Sequence, residues 1–356
     1  MPDPYAAEWA TADTQPRPFR FIAASEMPVN PIAWLVRDYL ERGTFAVLYG
    51  AAGKGKSFFA LDLSCCVASG KAFHGFEVQQ GAVFYIAGEG HGGVSRRLRA
   101  WAVHNGKPIL ELPIFVSEGV VDLALSSEAT HVSAEVQRLS TQSGTRPTLI
   151  VIDTLARNFG GDENSATGIG RFVRQVDLHL RHAWEATVLI IHHSGKDSER
   201  GARGSSALKG AADAEYEMSR PTDEACIRLT PRKMKDVGEP LPLAFRLLSV
   251  DILDDAGGPL KCAVLQRADH EPASDAVVVG LGKNQQTLLL ILRQMQQEIA
   301  ERLARQGRAE QQVLILQEDW RQRCQGEGMP RNRFKDARDA LVRRGEVRLE
   351  WPHVFC

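Results

Sequence analysis

The chain contains one stretch whose residue types and spacing are typical of a phosphate-binding loop. Residues 50–57 read Gly-Ala-Ala-Gly-Lys-Gly-Lys-Ser and satisfy the pattern G-x-x-x-x-G-K-[ST]. A buried-strand pattern (45–49) precedes the stretch, and a helical pattern (58–67) follows it. Glycines let the backbone fold closely around a triphosphate, and the N–H groups at the start of the helix point at the anion. The predicted nucleotide contacts are Gly50, Gly53, Gly55, Lys56, Ser57 and Phe58.

Two residues of this loop would carry its chemistry. Lys56 is placed to reach the β- and γ-phosphates of a nucleotide, and Ser57 is placed to hold Mg²⁺. Lys54 lies one residue too early for the same role, so we expect it to be solvated. The expected cofactors are therefore ATP and Mg²⁺, although such a loop recognises phosphates and not the base.

Acidic residues follow two further strand patterns. Asp153 ends the apolar run 148–152, at the strand edge where open α/β sheets bind ligands, and is predicted to orient Mg²⁺. Glu89 follows the strand pattern 82–87 and is the candidate for the carboxylate that orients the attacking water. The alternative for Glu89 is a solvated loop acid.

A third strand pattern, 187–192, ends in a histidine pair. His193 could form a hydrogen bond near the γ-phosphate and report its loss to the adjoining loop. One alternative is a structural histidine at a strand end. The other is a metal-binding pair with His192, but no further Cys, His or carboxylate set nearby has the spacing of metal ligands.

The loop after this strand is rich in Gly and Ser and carries four basic residues. It is a candidate DNA-contacting or nucleotide-sensing segment, and the alternative is an ordinary polar loop. The basic residues are Lys196, Arg200, Arg203 and Lys209.

Lys233 and Lys235 follow the strand pattern 226–230. Two residues apart on an extended chain, they point the same way. In an oligomeric ATPase, such cations can reach the γ-phosphate bound by the neighbouring subunit, as an arginine finger does. The alternative is a solvated basic hairpin.

The composition excludes several classes of protein. The chain of 356 residues is 44 % hydrophobic and 24 % charged, with a net charge of −1, so nucleic-acid binding would depend on local patches. No signal peptide and no apolar run of membrane-spanning length is present. The six cysteines show no metal-ligand spacing, so we expect reduced thiols in a cytoplasmic protein without a membrane partner.

Alternating strand and helix patterns from residue 44 to about 265 predict an α/β fold with a mainly parallel sheet. The predicted organisation is an extended arm (1–30), an ATPase core (31–266) that starts with a short helix at 31–42, a linker (267–283) and a small C-terminal domain (284–356). The strand candidates are 45–49, 82–87, 114–116, 148–152, 187–192, 226–230, 243–250 and 260–266, with the last three antiparallel at one edge.

The C-terminal residues differ from the rest of the chain in charge. Residues 281–356 contain 14 Lys and Arg against 10 Asp and Glu, a net of +4, which leaves −5 for the remainder. Helical patterns at 285–305, about 309–325 and 331–344, followed by a strand pattern at 346–351, predict a winged helix-turn-helix. Phe334, Ala337, Leu341 and Val342 should face its core.

The third of these helices presents a basic face. Arg331, Lys335 and Arg338 share that face and could meet DNA phosphates. The alternative is a solvated helix on a protein-docking domain.

Taken in order, these motifs resemble those of RecA-fold ATPases of the hexameric helicase type. The ordered set is GAAGKGKS, YIAGE, LIVIDTLAR, LIIHHSGK, RGSSALKGAAD and RKMKDVGE. Within it, LIVIDTLAR, LIIHHSGK and RGSSALKGAAD most resemble RepA-type replicative helicases of plasmids and related phage and mobile-element ATPases. The resemblance covers roughly residues 30–265. It implies a RecA-like core and ATP-driven translocation on single-stranded DNA by a ring of six subunits, with nucleotide at the subunit interfaces.

The resemblance also implies residue roles. Glu89 would be the catalytic carboxylate, His193 the γ-phosphate sensor, and Lys233 and Lys235 the cations supplied in trans. Arg97 falls where the family has a basic residue after the glutamate, and would contact nucleotide. Lys235 departs from the family, whose finger is an arginine, and the C-terminal module is absent from the compact plasmid helicases.

The expected function is that of a DNA helicase or translocase in replication of a plasmid, phage or integrated element, with a primase or an initiator protein as a further partner. The alternative is a regulatory ATPase that binds DNA through its C-terminal domain and does not unwind it. A recombinase-like filament ATPase lacks a clear polymerisation motif in this sequence.

Overall fold

The computed structural model describes residues 21–29, 31–88, 90–193, 206–220, 226–268, 283–305, 313–327, 329–343 and 346–355. The chain divides into two compact units, Met1–His270 and Glu271–Cys356. This division falls inside the stretch predicted as a linker. Residues 269–282 of that stretch, and residues 1–20 and 30 of the predicted arm, lie outside the described residues, so both segments remain predictions.

The described strands of the first unit form a small hairpin and a nine-stranded sheet. The strands are β1 (Trp34–Val36), β2 (Leu40–Glu41), β3 (Phe45–Gly50), β4 (Ala82–Ala87), β5 (Ile114–Val116), β6 (Pro147–Asp153), β7 (Thr187–His193), β8 (Ala214–Ser219), β9 (Ile227–Met234), β10 (Leu243–Leu253) and β11 (Pro259–Arg267).

The large sheet has the order β11-β10-β9-β8-β3-β7-β6-β4-β5. The six strands from β8 to β5 are parallel, whereas β9, β10 and β11 join antiparallel at one edge. The predicted α/β class, the mainly parallel sheet and the antiparallel edge are therefore confirmed. Because parallel strands start and end together, the sheet has one carboxyl edge, after β3, β4, β6 and β7, and one amino edge, before them.

Helices cover both faces of the sheet. Those of the first unit are α1 (Lys56–Ser69), α2 (His91–Asn105), α3 (Ser126–Ser143), α4 (Ala166–Val176), a π-helical turn (Asp177–Arg181), α5 (His182–Trp184) and α6 (Ser206–Ala211), with 3-10 turns at Ala24–Glu26, Ile109–Glu111 and Leu155–Arg157.

Each face of the sheet has its own hydrophobic core. Residues of α1 and α2 pack on one face, and residues of α3 to α6 pack on the other. β4 is buried along its whole length, as are β3 and all but the last residue of β6 and of β7. Double burial explains why these segments are continuous apolar runs in the sequence.

The helix predicted at 31–42 was wrong, because the segment is the hairpin β1–β2. Asp38 turns the chain there with φ of 65°. The backbone N–H of Arg37 donates to Glu77, and the carbonyl of Leu35 accepts from Gln79. These bonds reach a segment forty residues away, so local periodicity did not reveal them.

One central strand was missed. β8 lies beside β3 in the parallel part of the sheet, although its sequence contains Glu215 and Glu217. Ala214, Tyr216 and Met218 alternate with these acids and are buried against α1's side of the sheet. That alternation with period two is the signal that could have identified the strand.

The described elements of the second unit are three helices and a small antiparallel sheet of order β12-β14-β13. They are α7 (Lys283–Arg305), β12 (Ile315–Leu316), α8 (Gln317–Gly326), α9 (Arg331–Arg343), β13 (Arg348–Glu350) and β14 (His353–Phe355).

The core of this unit forms around the indole of Trp320, which donates to the carbonyl of Leu288. Phe334, Ala337 and Leu341 are buried in that core, as predicted, and Val342 is half-buried against it. The helix predicted at 309–325 starts only at Gln317 within the described residues. Ile315 and Leu316 instead pair with the C-terminal strand β14.

Across the parts of the chain that the structure describes, no helix combines the length and the apolar character needed to cross a membrane.

Candidate nucleotide-binding site

The carboxyl edge of the sheet brings the predicted site residues together. Gly50 pairs with His193 across β3 and β7, and Asp153 pairs with Ile191 across β6 and β7. The strand that carries the histidine therefore lies between the strand that leads into the loop and the strand that ends in the carboxylate.

Glycines fix the shape of the loop between β3 and α1. A Cβ at Gly50 would overlap the backbone of Met218 in β8, and a Cβ at Gly55 would lie 2.8 Å from Ile227 in β9. Gly53 and Gly55 adopt φ of 74° and 93°, which L side chains rarely adopt. Gly50 thus serves close packing behind the loop, while Gly53 and Gly55 shape its surface.

Lys56 is buried at the centre of the loop. Its Nζ donates to the carbonyl oxygens of Gly50 (2.7 Å) and Ala51 (2.9 Å) and lies 3.4 Å from Nδ1 of His193. Burial lowers the pKa of Lys56 to about 8, and the charge of Asp153 acts in the opposite direction. The ammonium is held by uncharged groups beside the predicted phosphate position, so an incoming phosphate would supply a counter-charge.

Lys54 is half-buried, and its Nζ donates to the carbonyl of Arg220 at 2.8 Å. It ties the loop to the end of β8, whereas the sequence predicted a solvated side chain.

A pocket of about 210 Å³ opens over the loop. Its walls come from residues 53–58, from Thr154 after β6, from Ile191 and His193 in β7, and from more distant side chains on α2 and β10. The first turn of α1 borders it and carries no acidic residue, which suits an anion at a helix N-terminus.

Arg97 of α2 is one of those distant side chains, and its guanidinium lies 4.2 Å from the ring centroid of Phe58. A cation over an aromatic ring is attracted by the ring's negative face, so Phe58 holds Arg97 at the pocket. Leu247 of β10 is the other and presents an apolar side chain to the pocket. Neither Leu247 nor Thr154 was predicted from the sequence to line this site.

A tyrosine lies beside the residues predicted to hold Mg²⁺. The hydroxyl of Tyr85 in β4 donates to Oδ2 of Asp153 at 2.5 Å, and Ser57 is a neighbour of the same hydroxyl. A hydroxyl and a carboxylate are the hard oxygen ligands that Mg²⁺ takes, together with phosphate oxygens and water. Among the described residues, no group of three or more His, Cys, Asp or Glu forms a metal site by itself. The donor set therefore fits Mg²⁺ that arrives with a nucleotide.

Glu89 lies outside the described residues, as do Lys196, Arg200 and Arg203. The position of Gly88 is described, and its N–H donates to the carbonyl of Asp153 at 2.5 Å. The role of Glu89 remains a prediction.

Lys233 and Lys235 lie at the amino edge, away from the loop of their own chain. Nζ of Lys233 donates to the carbonyls of Lys209 (2.8 Å) and Ala212 (2.6 Å), and Nζ of Lys235 lies 3.3 Å from Oδ1 of Asp213. The two lysines point toward the same short segment, 209–213. The exposed side chain of Lys209 sits at this edge too, at the end of α6.

The basic residues of α9 differ in their surroundings. Arg331 and Lys335 are exposed, whereas Arg338 is half-buried and forms an ion pair with Asp339 at 2.6 Å. Arg338 is therefore less available to an external anion than the shared face in the sequence suggested.

A family model described as an AAA domain matches residues 11–199, which is more than half of the chain. The matched region includes the loop, Asp153 and His193. A comparison with curated proteins finds no match.

Proposed function

The chain belongs to the AAA-domain family of P-loop ATPases, and from this premise we propose that it is a motor that couples ATP hydrolysis to movement on single-stranded DNA. The proposal specifies a helicase or translocase of the RepA type, assembled as a homo-oligomeric ring, that acts in replication of a plasmid, phage or integrated element. A primase or an initiator protein would be its further partner.

The observation that carries this proposal is the position of Lys233 and Lys235. β3 spans six residues, about 20 Å, and separates the loop at one edge of the sheet from these lysines at the other. Cations so placed can assist hydrolysis only at the nucleotide of another copy. An ATPase whose site is completed by a neighbour is suited to a ring in which subunits act in turn.

Within one subunit, each residue has a defined task. Lys56 would neutralise the β- and γ-phosphates, and Arg97 would approach the nucleotide from α2 across Phe58. Ser57 and Asp153 would hold Mg²⁺, which supplies charge neutralisation of the phosphate oxygens when bound.

Glu89 would orient the attacking water. His193 lies within 3.4 Å of Nζ of Lys56, so it would detect loss of the γ-phosphate through that contact. β7 leads from His193 directly into the loop with Lys196, Arg200 and Arg203, which we propose as the DNA-contacting segment. This connection would couple hydrolysis to movement of the DNA.

A second candidate function rests on the second unit. Its elements follow the order α, β, α, α, β, β, with the strands paired into one antiparallel sheet. This order supports a winged-helix domain, with Arg331 and Lys335 exposed on its third helix. A regulatory ATPase could use such a domain to hold duplex DNA, with ATP controlling assembly and no unwinding.

Hydrolysis of ATP with and without DNA separates the two candidates. For the motor, we expect single-stranded DNA to stimulate the wild-type chain strongly, and both Lys56→Ala and Glu89→Gln to abolish the stimulated rate. Duplex DNA of equal nucleotide content is the control ligand.

If the rate of ATP hydrolysis is unchanged by single-stranded DNA but changes with duplex DNA, the motor is rejected and the regulatory ATPase is favoured. A Glu89→Gln variant with full activity would reject the assigned catalytic carboxylate without affecting the family assignment.

A further inference from the structure

Tyr85 is a buried polar residue for which the loop motif gives no role. It lies in β4 opposite Val151 of β6, and its side chain is 1 % exposed. Its ring belongs to the core on the side of α1, and its hydroxyl emerges beside the first turn of that helix. The position places one hydroxyl between two different elements of the candidate site.

The hydroxyl of Tyr85 is hydrogen-bonded to one of the two residues that would hold Mg²⁺. Tyr85 donates to Oδ2 of Asp153 at 2.5 Å. A hydroxyl that donates to a carboxylate oxygen occupies a lone pair of that oxygen. Ser57, the other predicted ligand, is a neighbour of the same hydroxyl.

This hydrogen bond matters for metal binding. A carboxylate that ligates a cation through one oxygen is held in orientation by the hydrogen-bond partner of its other oxygen. Because the proton of Tyr85 occupies Oδ2 of Asp153, Oδ1 is the oxygen that remains for the Mg²⁺ shell.

We propose that Tyr85 is a positioning residue that orients Asp153 for Mg²⁺ through this hydrogen bond. The inference rests on the proposed nucleotide site, but not on DNA or on a ring. Partners of metal ligands in other proteins change metal affinity by about 10–100-fold when they are mutated. Tyr85 should therefore control how much Mg²⁺ strengthens nucleotide binding, and not nucleotide binding in the absence of metal.

The test compares ADP affinity of the full chain in Mg²⁺ and in EDTA, by titration calorimetry, for wild type and Tyr85→Phe. The substitution removes the hydroxyl and keeps the ring, so the core packing is retained. We expect affinity in EDTA to stay within about twofold, and the gain from Mg²⁺ to fall by about tenfold.

Tyr49→Phe is the matched control. Tyr49 is also a buried tyrosine at the end of a parallel strand, but it packs on the opposite face of the sheet and its hydroxyl lies near Glu217 and Arg232. Its loss should leave the Mg²⁺ gain unchanged.

Two results would overturn the inference: an unchanged Mg²⁺ gain in Tyr85→Phe, or an equal loss of affinity in Mg²⁺ and in EDTA, which marks a structural role. A double variant sharpens the test, because Asp153→Asn with Tyr85→Phe should show the same Mg²⁺ gain as Asp153→Asn alone. An additional loss would mean that Tyr85 does not act through Asp153. A wild-type chain that binds no ADP in either buffer would instead reject the proposed nucleotide site itself.

Discussion

The two edges of the central sheet both carry lysines, but in opposite electrostatic settings. At the carboxyl edge, Lys56 is 5 % exposed and donates to carbonyl groups of its own loop. At the amino edge, Lys235 is exposed and already paired with Asp213. A buried cation with neutral partners gains most from an arriving anion. Lys235 must leave Asp213 before it can pair with a phosphate, so its contribution to hydrolysis depends on which groups of a second subunit approach it.

The largest expected effect is therefore at the carboxyl edge. Lys56→Ala removes the ammonium beside the predicted phosphate position, and hydrolysis should fall by about 100-fold or more, the scale seen when one preorganised charge-stabilising donor is lost. The measurement is steady-state ATP hydrolysis. Lys54→Ala is the control, because it removes a lysine of the same loop that bonds Arg220 instead, and we expect a loss of no more than about threefold. Equal losses in both variants would contradict the distinction.

A second contrast concerns glycines near the two edges. Gly50→Ala should lower the free energy of unfolding by about 3 kcal/mol, because the new Cβ would overlap the backbone of Met218. A new Cβ at Gly210 in α6 would meet no atom within 4 Å. Gly210→Ala should therefore raise the free energy of unfolding by up to about 1 kcal/mol through helix propensity. Urea unfolding of the two variants measures both. A well-folded Gly50→Ala chain of normal stability would show that β8 does not close against the loop.

A smaller effect is expected from the amino edge in an assembled protein. Lys235→Ala should reduce hydrolysis by about tenfold at concentrations that support oligomers, with nucleotide binding retained. This is well below the roughly 10³–10⁵-fold effect of an arginine finger, because Lys235 is already paired with Asp213. A further experiment mixes the Lys235→Ala and Lys56→Ala variants. In a mixed oligomer, the intact loop of a Lys235→Ala subunit can lie beside the intact Lys235 of a Lys56→Ala subunit. Activity above the sum of the separate variants would support action in trans, and a strictly additive mixture would contradict it.

The comparison also shows what the sequence could predict. β4 and β5 begin and end at the predicted residues, 82–87 and 114–116. Each end of β3, β6 and β7 lies within one residue of its predicted position. These strands are doubly buried or short apolar runs, so composition alone identifies them. The P-loop was equally clear, since its spacing follows from the geometry of phosphate binding.

The missed features depend on contacts between distant segments. β8 was missed because Glu215 and Glu217 interrupt its apolar run and leave only the period-two alternation as a signal. The sequence does not show that Glu215 is 2 % exposed in the sheet, where burial raises its pKa. Tyr85 is an ordinary strand residue until β4 and β6 are known to be neighbours. The positions of Lys233 and Lys235 at the amino edge likewise follow from the antiparallel turn of β9, which local spacing does not encode.

The smallest expected effect tests whether Asp213 organises the amino edge. Its side chain is 17 % exposed and binds the N–H of Phe45, Arg181 at 3.0 Å and Lys235. Asp213→Asn keeps an acceptor for Phe45 but removes one of the two charges that compensate Arg181, the other being Asp177 at 2.6 Å, so the free energy of unfolding should fall by about 1–2 kcal/mol. Asp255→Asn is the control, because Asp255 is 94 % exposed and its pair with Arg99 should contribute less than about 0.5 kcal/mol. If urea unfolding shows equal small losses for both, then Lys235 is not held by a structured carboxylate. It would then be as free to change partners as any surface lysine, and the contrast between the two edges would lie in burial alone.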